Sequence, residues 1–359
     1  MKSNFTFIPV LAGMLAQVLS LCAQDRRPVP DTMPELRREA GRSADATLAG
    51  LRDSMGGRYT GEGVKDSAGG RVRAGGDTWT LQVFGDGTGA EFLDRAAAGL
   101  AHSTGVDPSK AISTDSLESA GRAYIERTLS KAIVLQRGER MVRAATSFRS
   151  EGGVARDGSA PYSAVTAARV VFSREIEGIP VVGAGSKVTI TFLNDGTVES
   201  FRYDWPTYTR TANMQRLASA QEILRRVQRV TGTRAKSNMY QDLPAPASIE
   251  AISQPMRLGS DAQLQDLKCG YYDPGFANRS ATAPVQAGCY YHVVHTDGQG
   301  EFPTTAGYSG AVPAALSPAR DASWPEETVL RNKKVKGRHK ARSAGSGRKV
   351  RPVPPRPQY

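Results

Sequence analysis

Four histidines occur in the chain, His102, His292, His295 and His339, and His292-Val293-Val294-His295 is their one cluster. A zinc site needs imidazoles or thiolates that converge on one point. Positions three apart on a strand carry their side chains on opposite faces, so these two rings diverge and no metal set is read here. The His-Glu-x-x-His pattern is absent because no Glu stands between them. A cysteine nucleophile, Cys289 served by His292 or His295, would need a free thiolate. Serine hydrolysis needs an elbow such as Gly-x-Ser-x-Gly; Gly307-Tyr308-Ser309-Gly310 and Ala344-Gly345-Ser346-Gly347 both miss that spacing. Gly183-Ala184-Gly185-Ser186 lacks the Lys-Ser/Thr and the helix of a phosphate loop, so a sheet bulge is the better reading. No catalytic, cofactor-binding or metal-binding residue is assigned, and the chain reads as a non-enzyme. Tyr271, Tyr272, Tyr290 and Tyr291, with Tyr308 nearby, read as packing around the cysteines, with an aromatic binding surface as the alternative.

The cysteines bear on the compartment. Lys2, the apolar stretch from Phe5 to Leu21 and the polar Gln24-Asp25-Arg26-Arg27 fit a secretory signal cleaved after Ala23, giving a secreted or cell-envelope protein. A lipoprotein acylated on Cys22 is the alternative, although Leu21 is bulky for such a site. The apolar run is short and broken by Pro9 and Gln17, which disfavours an uncleaved membrane anchor, and no other segment is long and apolar enough to span a bilayer once the leader is removed. Cys269 and Cys289 remain, and in an exported chain the pair is expected to form a disulfide; free buried thiols are the alternative.

The formal net charge of +12 is local. Arg331, Lys333, Lys334, Lys336, Arg338, Lys340, Arg342, Arg348, Lys349, Arg351 and Arg356 fall in the last 29 residues, which hold no acid, so everything before them is nearly neutral. That tail is rich in Gly, Ser and Pro and cannot build a core. It reads as a site for an anionic polymer, or as a solvated extension. Aromatic side chains are absent between the charges, which argues against sequence-specific nucleic-acid reading.

The elements that would position any site follow. Met33 to Met55 reads as a helix, with Pro34 near its start and Gly56-Gly57 at its end. Trp79, Leu81 and Val83 alternate as a strand, and Glu91 to Leu100 is a short helix or a second strand. Thr114 caps a helix whose stripe is Leu117, Tyr124, Ile125, Thr128, Leu129, Ala132 and Ile133. Met141 to Phe148 is a strand and Glu151 to Ser163 a loop. After Trp205-Pro206, Gln221 to Val230 is a helix ended by Gly232. Ile249 to Ser253, Asp266 to Tyr272 and Cys289 to Thr296 are strands, and Ala306 to Ala315 is an edge strand limited by Pro313.

The most informative stretch is 170–205. Phe172, Arg174 and Ile176 share one side of a first strand, and Gly178-Ile179-Pro180 reads as a turn feeding Val181-Val182. Gly183 and Gly185 loosen the backbone for a bulge. Lys187 to Leu193 alternates with Val188, Ile190 and Phe192 on its apolar face, and Asn194-Asp195-Gly196 is a hairpin signal returning the chain through Val198 to Asp204.

In their order, Val-x-Phe-x-Arg, Gly-Ile-Pro-Val-x-Gly, an alternating strand and Asn-Asp-Gly, these residues resemble the prodomains of thermolysin-like secreted metalloproteases and the related PepSY modules. About 35 residues match well, and no protease domain follows. The resemblance implies a cystatin-like fold, a curled antiparallel sheet wrapped on a helix. The expected architecture is α+β: tandem curled antiparallel sheets each packed on a helix, with disordered termini. The expected organisation is a signal peptide at 1–23, a polar segment with one helix at 24–76, a propeptide-like module at 77–206, a second PepSY-like module with the disulfide at 207–325 and the basic tail at 326–359. The implied function is secreted, non-catalytic recognition or inhibition of a protein or envelope partner. The alternative is an adhesive surface protein anchored to anionic polymer by its tail.

Overall fold

Tyr203 and Ile223 each anchor one of two hydrophobic cores, and a single short strand joins the sheet behind one to the sheet behind the other. The computed structural model describes residues 31–59, 71–103, 112–153, 162–231, 256–258, 262–279, 284–297 and 304–317. Over these residues the chain is mixed α+β and mostly sheet. The expected leader, the basic tail, Gly232 and the expected strand Ile249 to Ser253 lie outside them.

The first elements in chain order are β1 (Thr32–Arg38), α1 (Ala44–Met55), β2 (Arg71–Gly75), β3 (Trp79–Phe84), β4 (Gly89–Asp94) and α2 (Arg95–Ser103), of which α1 and β2 to β4 build the first core. The expected helix from Met33 to Met55 is therefore corrected: its first part is β1, and the helix starts after Ser43, whose hydroxyl accepts from the Ala46 N–H at 3.2 Å. The reason is tertiary. Met33 and Leu36 are buried in the second core, and β1 pairs with β10 (Tyr208–Arg216), far along the chain. Pro34 sits inside β1 beside the register irregularity between Pro34 and Leu36, in a two-stranded sheet, where both strands are edges and a proline is tolerated. Residues Glu91 to Leu100 prove to be strand first and helix second, meeting at Asp94, which caps α2 through its bond from Ala97 N at 2.9 Å.

Helix α3 (Thr114–Tyr124) runs into a π-helical turn, Ile125–Leu129. Its cap is Ser113 rather than Thr114, because the Ser113 Oγ is the atom that reaches the Ser116 N–H, at 3.3 Å. The expected stripe is buried at Leu117, Tyr124, Ile125, Thr128, Leu129 and Ile133, and it packs on the sheet. Gly121 makes the approach possible: a Cβ there would lie 2.8 Å from Phe172 and 2.9 Å from Val170.

Strand β5 (Glu139–Gly153) pairs with β6 (Tyr162–Ile176), and both run into the stretch expected to be a loop, since Glu151 and Ser163 are ladder partners of neighbouring residues. The turn after β6 is also corrected. Glu177 (φ 53°) and Gly178 (φ 82°) form it, and Ile179 and Pro180 already lie in β7 (Ile179–Gly183), paired with Ile176 and Glu175. Two consecutive positive φ values match the twist of a two-residue hairpin better than a turn through Pro180 would. Strands β8 (Lys187–Leu193) and β9 (Val198–Asp204) complete the meander. Within the second hairpin only Gly196 (φ 85°) takes the left-handed backbone; Asp195 instead accepts from Thr197 N at 2.8 Å, and Asn194 donates to the Val165 carbonyl at 2.6 Å.

The second core is built from α4 (Ala220–Thr231), β11 (Met256–Arg257), β12 (Ala262–Asp273), β13 (Ala287–Asp297) and β14 (Thr304–Pro313). Ile223, Leu224 and Val227 of α4 pack with Leu264, Leu267 and Val293. Twelve of the strands form one continuous sheet, ordered β14-β13-β12-β7-β6-β8-β9-β4-β3-β2, with β5 on β6 and β11 on β12. Strand β7 is the shared piece: antiparallel to β6 and parallel to β12, with Val181 opposite Tyr271.

Candidate functional site

Cys269 and Cys289 face each other across β12 and β13 and form a disulfide, Cα to Cα 4.0 Å, inside the second core. Alternation splits the neighbouring tyrosines. Tyr271 and Tyr291 are buried in that core, whereas Tyr272 and Tyr290 pack with Val182 and Ala311 on the opposite face. His292 bonds through Nδ1 to Ser309 Oγ at 2.9 Å, between adjacent strands β13 and β14, so Ser309 stands on a flat ladder and not on a strand-to-helix elbow. His295 is on the same strand, opposite Ala262 and Ala306. Among the described residues no group of three His, Cys, Asp or Glu side chains is placed to hold a metal ion. The tail cations, from Arg331 to Arg351, lie outside the described residues.

The structure assembles two arrangements that residue spacing did not announce. The first is a buried polar seam between the cores, centred on Arg279, whose side chain is 4% exposed. Arg279 follows the turn Phe276–Asn278 and reaches Asp204, at the end of β9, with Nη2 2.7 Å from both carboxylate oxygens. It also reaches Asp273, at the end of β12, with Nε 3.1 Å from Oδ1 and Nη2 3.0 Å from Oδ2. Ser186 Oγ and Tyr208 Oη donate to Asp273 Oδ2 as well, at 3.1 and 2.6 Å, and Gly275 N donates to Oδ1 at 3.0 Å. Gly185 has to be glycine, since a Cβ there would come within 2.2 Å of the Asp273 carboxylate.

Electrostatics follow from this geometry. Burial alone would push the Asp273 carboxyl up, but the Arg279 charge and the converging donors hold it below the usual aspartate value. Burial raises Asp204, and the neighbouring Asp273 charge adds to that against the pull of Arg279. Tyr208 is raised well above an ordinary phenol by burial and then by Asp273. A second buried pair abuts the seam: Arg174 Nη2 lies 2.6 Å from Glu139 Oε2, and its guanidinium stacks over Trp205 and Tyr208 at 4.7 and 5.0 Å. Asp273, Tyr208 and Asp204 are all buried, as are Ser186 and Arg174 beside them, so the seam is closed to solvent. Their role is to hold the joint.

The second arrangement is open. The face of the first sheet turned away from α1 and α3 carries a groove of about 620 Å³. At one end α2 lies over it, with Ala97 on Ala167 and Leu193; at the other, Phe276 stacks on Phe84 with centroids 4.6 Å apart. Strand register lines its floor with two transverse rows. One row crosses five strands as Arg169, Thr191, Ser200, Leu93 and Thr80. The next runs Thr189, Arg202, Glu91, Gln82 and Arg73. In the second row Arg202 and Glu91 pair at 2.8 Å, and Gln82 Oε1 accepts from the neighbouring Arg71 Nη1 at 3.2 Å. In the first row Arg169 is exposed and has no ion pair or side-chain hydrogen bond with any described residue, nor have the hydroxyls of Thr191 and Ser200, nor that of Thr189 beside them. Leu93, 41% exposed, is the apolar member. At the far end Thr80 accepts from Arg95 at 2.8 Å and from Arg73 at 3.5 Å.

No protein-family model and no curated protein matches this chain. Among solved structures, an uncharacterized protein from Eubacterium rectale ATCC 33656 is similar at a TM-score of 0.42 and 8% identity, over 81% of this chain and 86% of that one.

Proposed function

We propose that this is an exported, non-catalytic recognition protein of PepSY and propeptide type that binds an envelope partner in the groove across β3, β4, β9, β8 and β6. The carrying observation is that Arg169, Ser200 and Thr189 stand without a side-chain partner among the described residues in an open depression, while the Asp273, Tyr208 and Arg279 cluster is sealed in the seam. Export is supported by the leader-like first residues and by the disulfide. No helix among the described residues is long and apolar enough to cross a membrane. The tandem cystatin-like reading is supported by the meander on α3 and by α4 packed on β12 to β14. The test is affinity capture from an envelope fraction with the full chain and with Ser200→Trp, which fills the groove from an outward strand position. A partner held by the wild type and lost by the variant is expected; equal capture overturns the groove as the site.

A second reading, adhesion through the tail, is favoured by the concentration of eleven basic residues after 330. Replacing Lys333, Lys334 and Lys336 by Gln would then release the protein from cells, and unchanged retention would count against it.

A further inference from the structure

We infer that the groove takes a short segment of an acidic oligosaccharide lying across the strands, its anionic group on Arg169 and its hydroxyls on Ser200 and Thr189, with the buried Thr191 forming the floor between them. The inference rests on the proposal that the groove is a binding site, and names what it binds.

Three features of the groove select this chemistry. The first is the donor set: an unpaired guanidinium presents a planar fork suited to a carboxylate or sulfate, and hydroxyls both donate and accept, as sugar hydroxyls do. The second is pitch. Neighbouring strands stand about 4.8 Å apart, so Arg169 to Thr80 spans four such steps, about 19 Å. A chain of linked pyranoses advances by close to one strand spacing per ring, so successive rings meet successive side chains of the row. An extended peptide repeats same-side groups only every two residues, about 6.6 Å, and falls out of step with the row.

The third feature is the backbone. Peptides that bind sheets add to an edge, where unpaired N–H and C=O groups supply most of the affinity. In this groove β8, β9 and β4 are each paired on both sides, so main-chain groups are consumed in the ladder and side chains are all that a ligand can reach. Arg73 and Arg95, gathered on Thr80, put further positive charge at the opposite end from Arg169. Leu93, in the middle, offers an apolar patch to the C–H face of a ring.

Because the tail would attract any polyanion, the comparison is made within the full chain, where its contribution is constant. Binding of a defined-length oligogalacturonate is measured by calorimetry at fixed salt for wild type, Arg169→Ala and Ser200→Trp, with oligoglutamate of equal charge as the second probe. All three proteins are first shown to share one melting temperature, as expected for outward positions. The expected result is a loss of about tenfold or more in oligogalacturonate affinity in each variant, the size of one charge-assisted hydrogen bond, with oligoglutamate binding the same in all three. A carrageenan oligomer, which carries sulfate and no carboxylate, separates sulfate from carboxylate, and groove-dependent binding of either sugar supports the proposal. Equal binding of the acidic sugars by all three proteins overturns it, as does an oligoglutamate that loses affinity in step. If neither sugar depends on the groove while envelope capture still depends on Ser200, the ligand class fails and the binding site stands; if capture is also unchanged, both fail.

Discussion

Tyr208 donates its hydroxyl proton to Asp273 across 2.6 Å, joining the first residue of β10 to the last of β12 where the two cores meet. The same tyrosine carries Arg174 on its ring face, 5.0 Å from the centroid. One side chain thus links the Arg174 and Glu139 pair of the first core with the Arg279 seam, so the joint behaves as a single network and its members should show strong coupling.

The seam predicts a non-additive pair of mutations. Arg279→Met leaves Asp204 and Asp273 buried without their counter-charge, a loss of about 3–5 kcal/mol. Adding Asp204→Asn should recover part of that loss, because the amide needs no counter-charge. Urea midpoints for the two single variants and the double variant test this; a double variant that loses the sum of both effects would rule out the shared-charge account.

Asp273 should make stability depend on acid pH with a definite sign. Its carboxyl is lowered in the fold, so it contributes stability above the ordinary aspartate value, about 3.9, and that contribution is lost as pH falls through its folded value. Asp273→Asn should therefore lie furthest below wild type in melting temperature near neutrality. The gap should narrow below about pH 4. A gap that is constant from pH 7 to 3 would mean that only hydrogen bonding, and not charge, holds the site.

Removing the disulfide with Cys269→Ala and Cys289→Ala should cost about 3 kcal/mol in the chain-entropy account for a separation of 20 residues. Reduced wild type and the double variant should then unfold at nearly the same urea concentration. A reduced wild type as stable as the oxidised one would show that the β12 and β13 ladder alone keeps this loop closed.

Gly121→Val should be costly although the position is helical. Its Cβ would fall within 3 Å of both Phe172 and Val170, so α3 must lift from the sheet, a loss of about 1–3 kcal/mol. The readout is thermal melting, with Gly50→Ala as the control: nothing lies within 4 Å of a Cβ there, and Ala favours the helix. If both variants melt alike, the close contact of α3 with β6 is wrong.

Local patterning was enough for the alternating strands β3, β8 and β9, for the helical stripes on Leu117 and Ile223, and for the pairing of two cysteines, because period and turn chemistry act within a few residues. It failed at Met33 to Arg38, where helix-compatible residues become a strand because β10 and the second core recruit them. It also failed at the turn before Pro180, since twist and not composition chose Glu177 and Gly178. Neither the seam nor the groove could be read from spacing. Asp204, Asp273 and Arg279 look like ordinary polar residues at element ends, and Arg169, Thr191 and Ser200 look like the solvent side of three strands. Only register, set by long-range pairing, puts the first three within hydrogen-bond reach and the last three in one row.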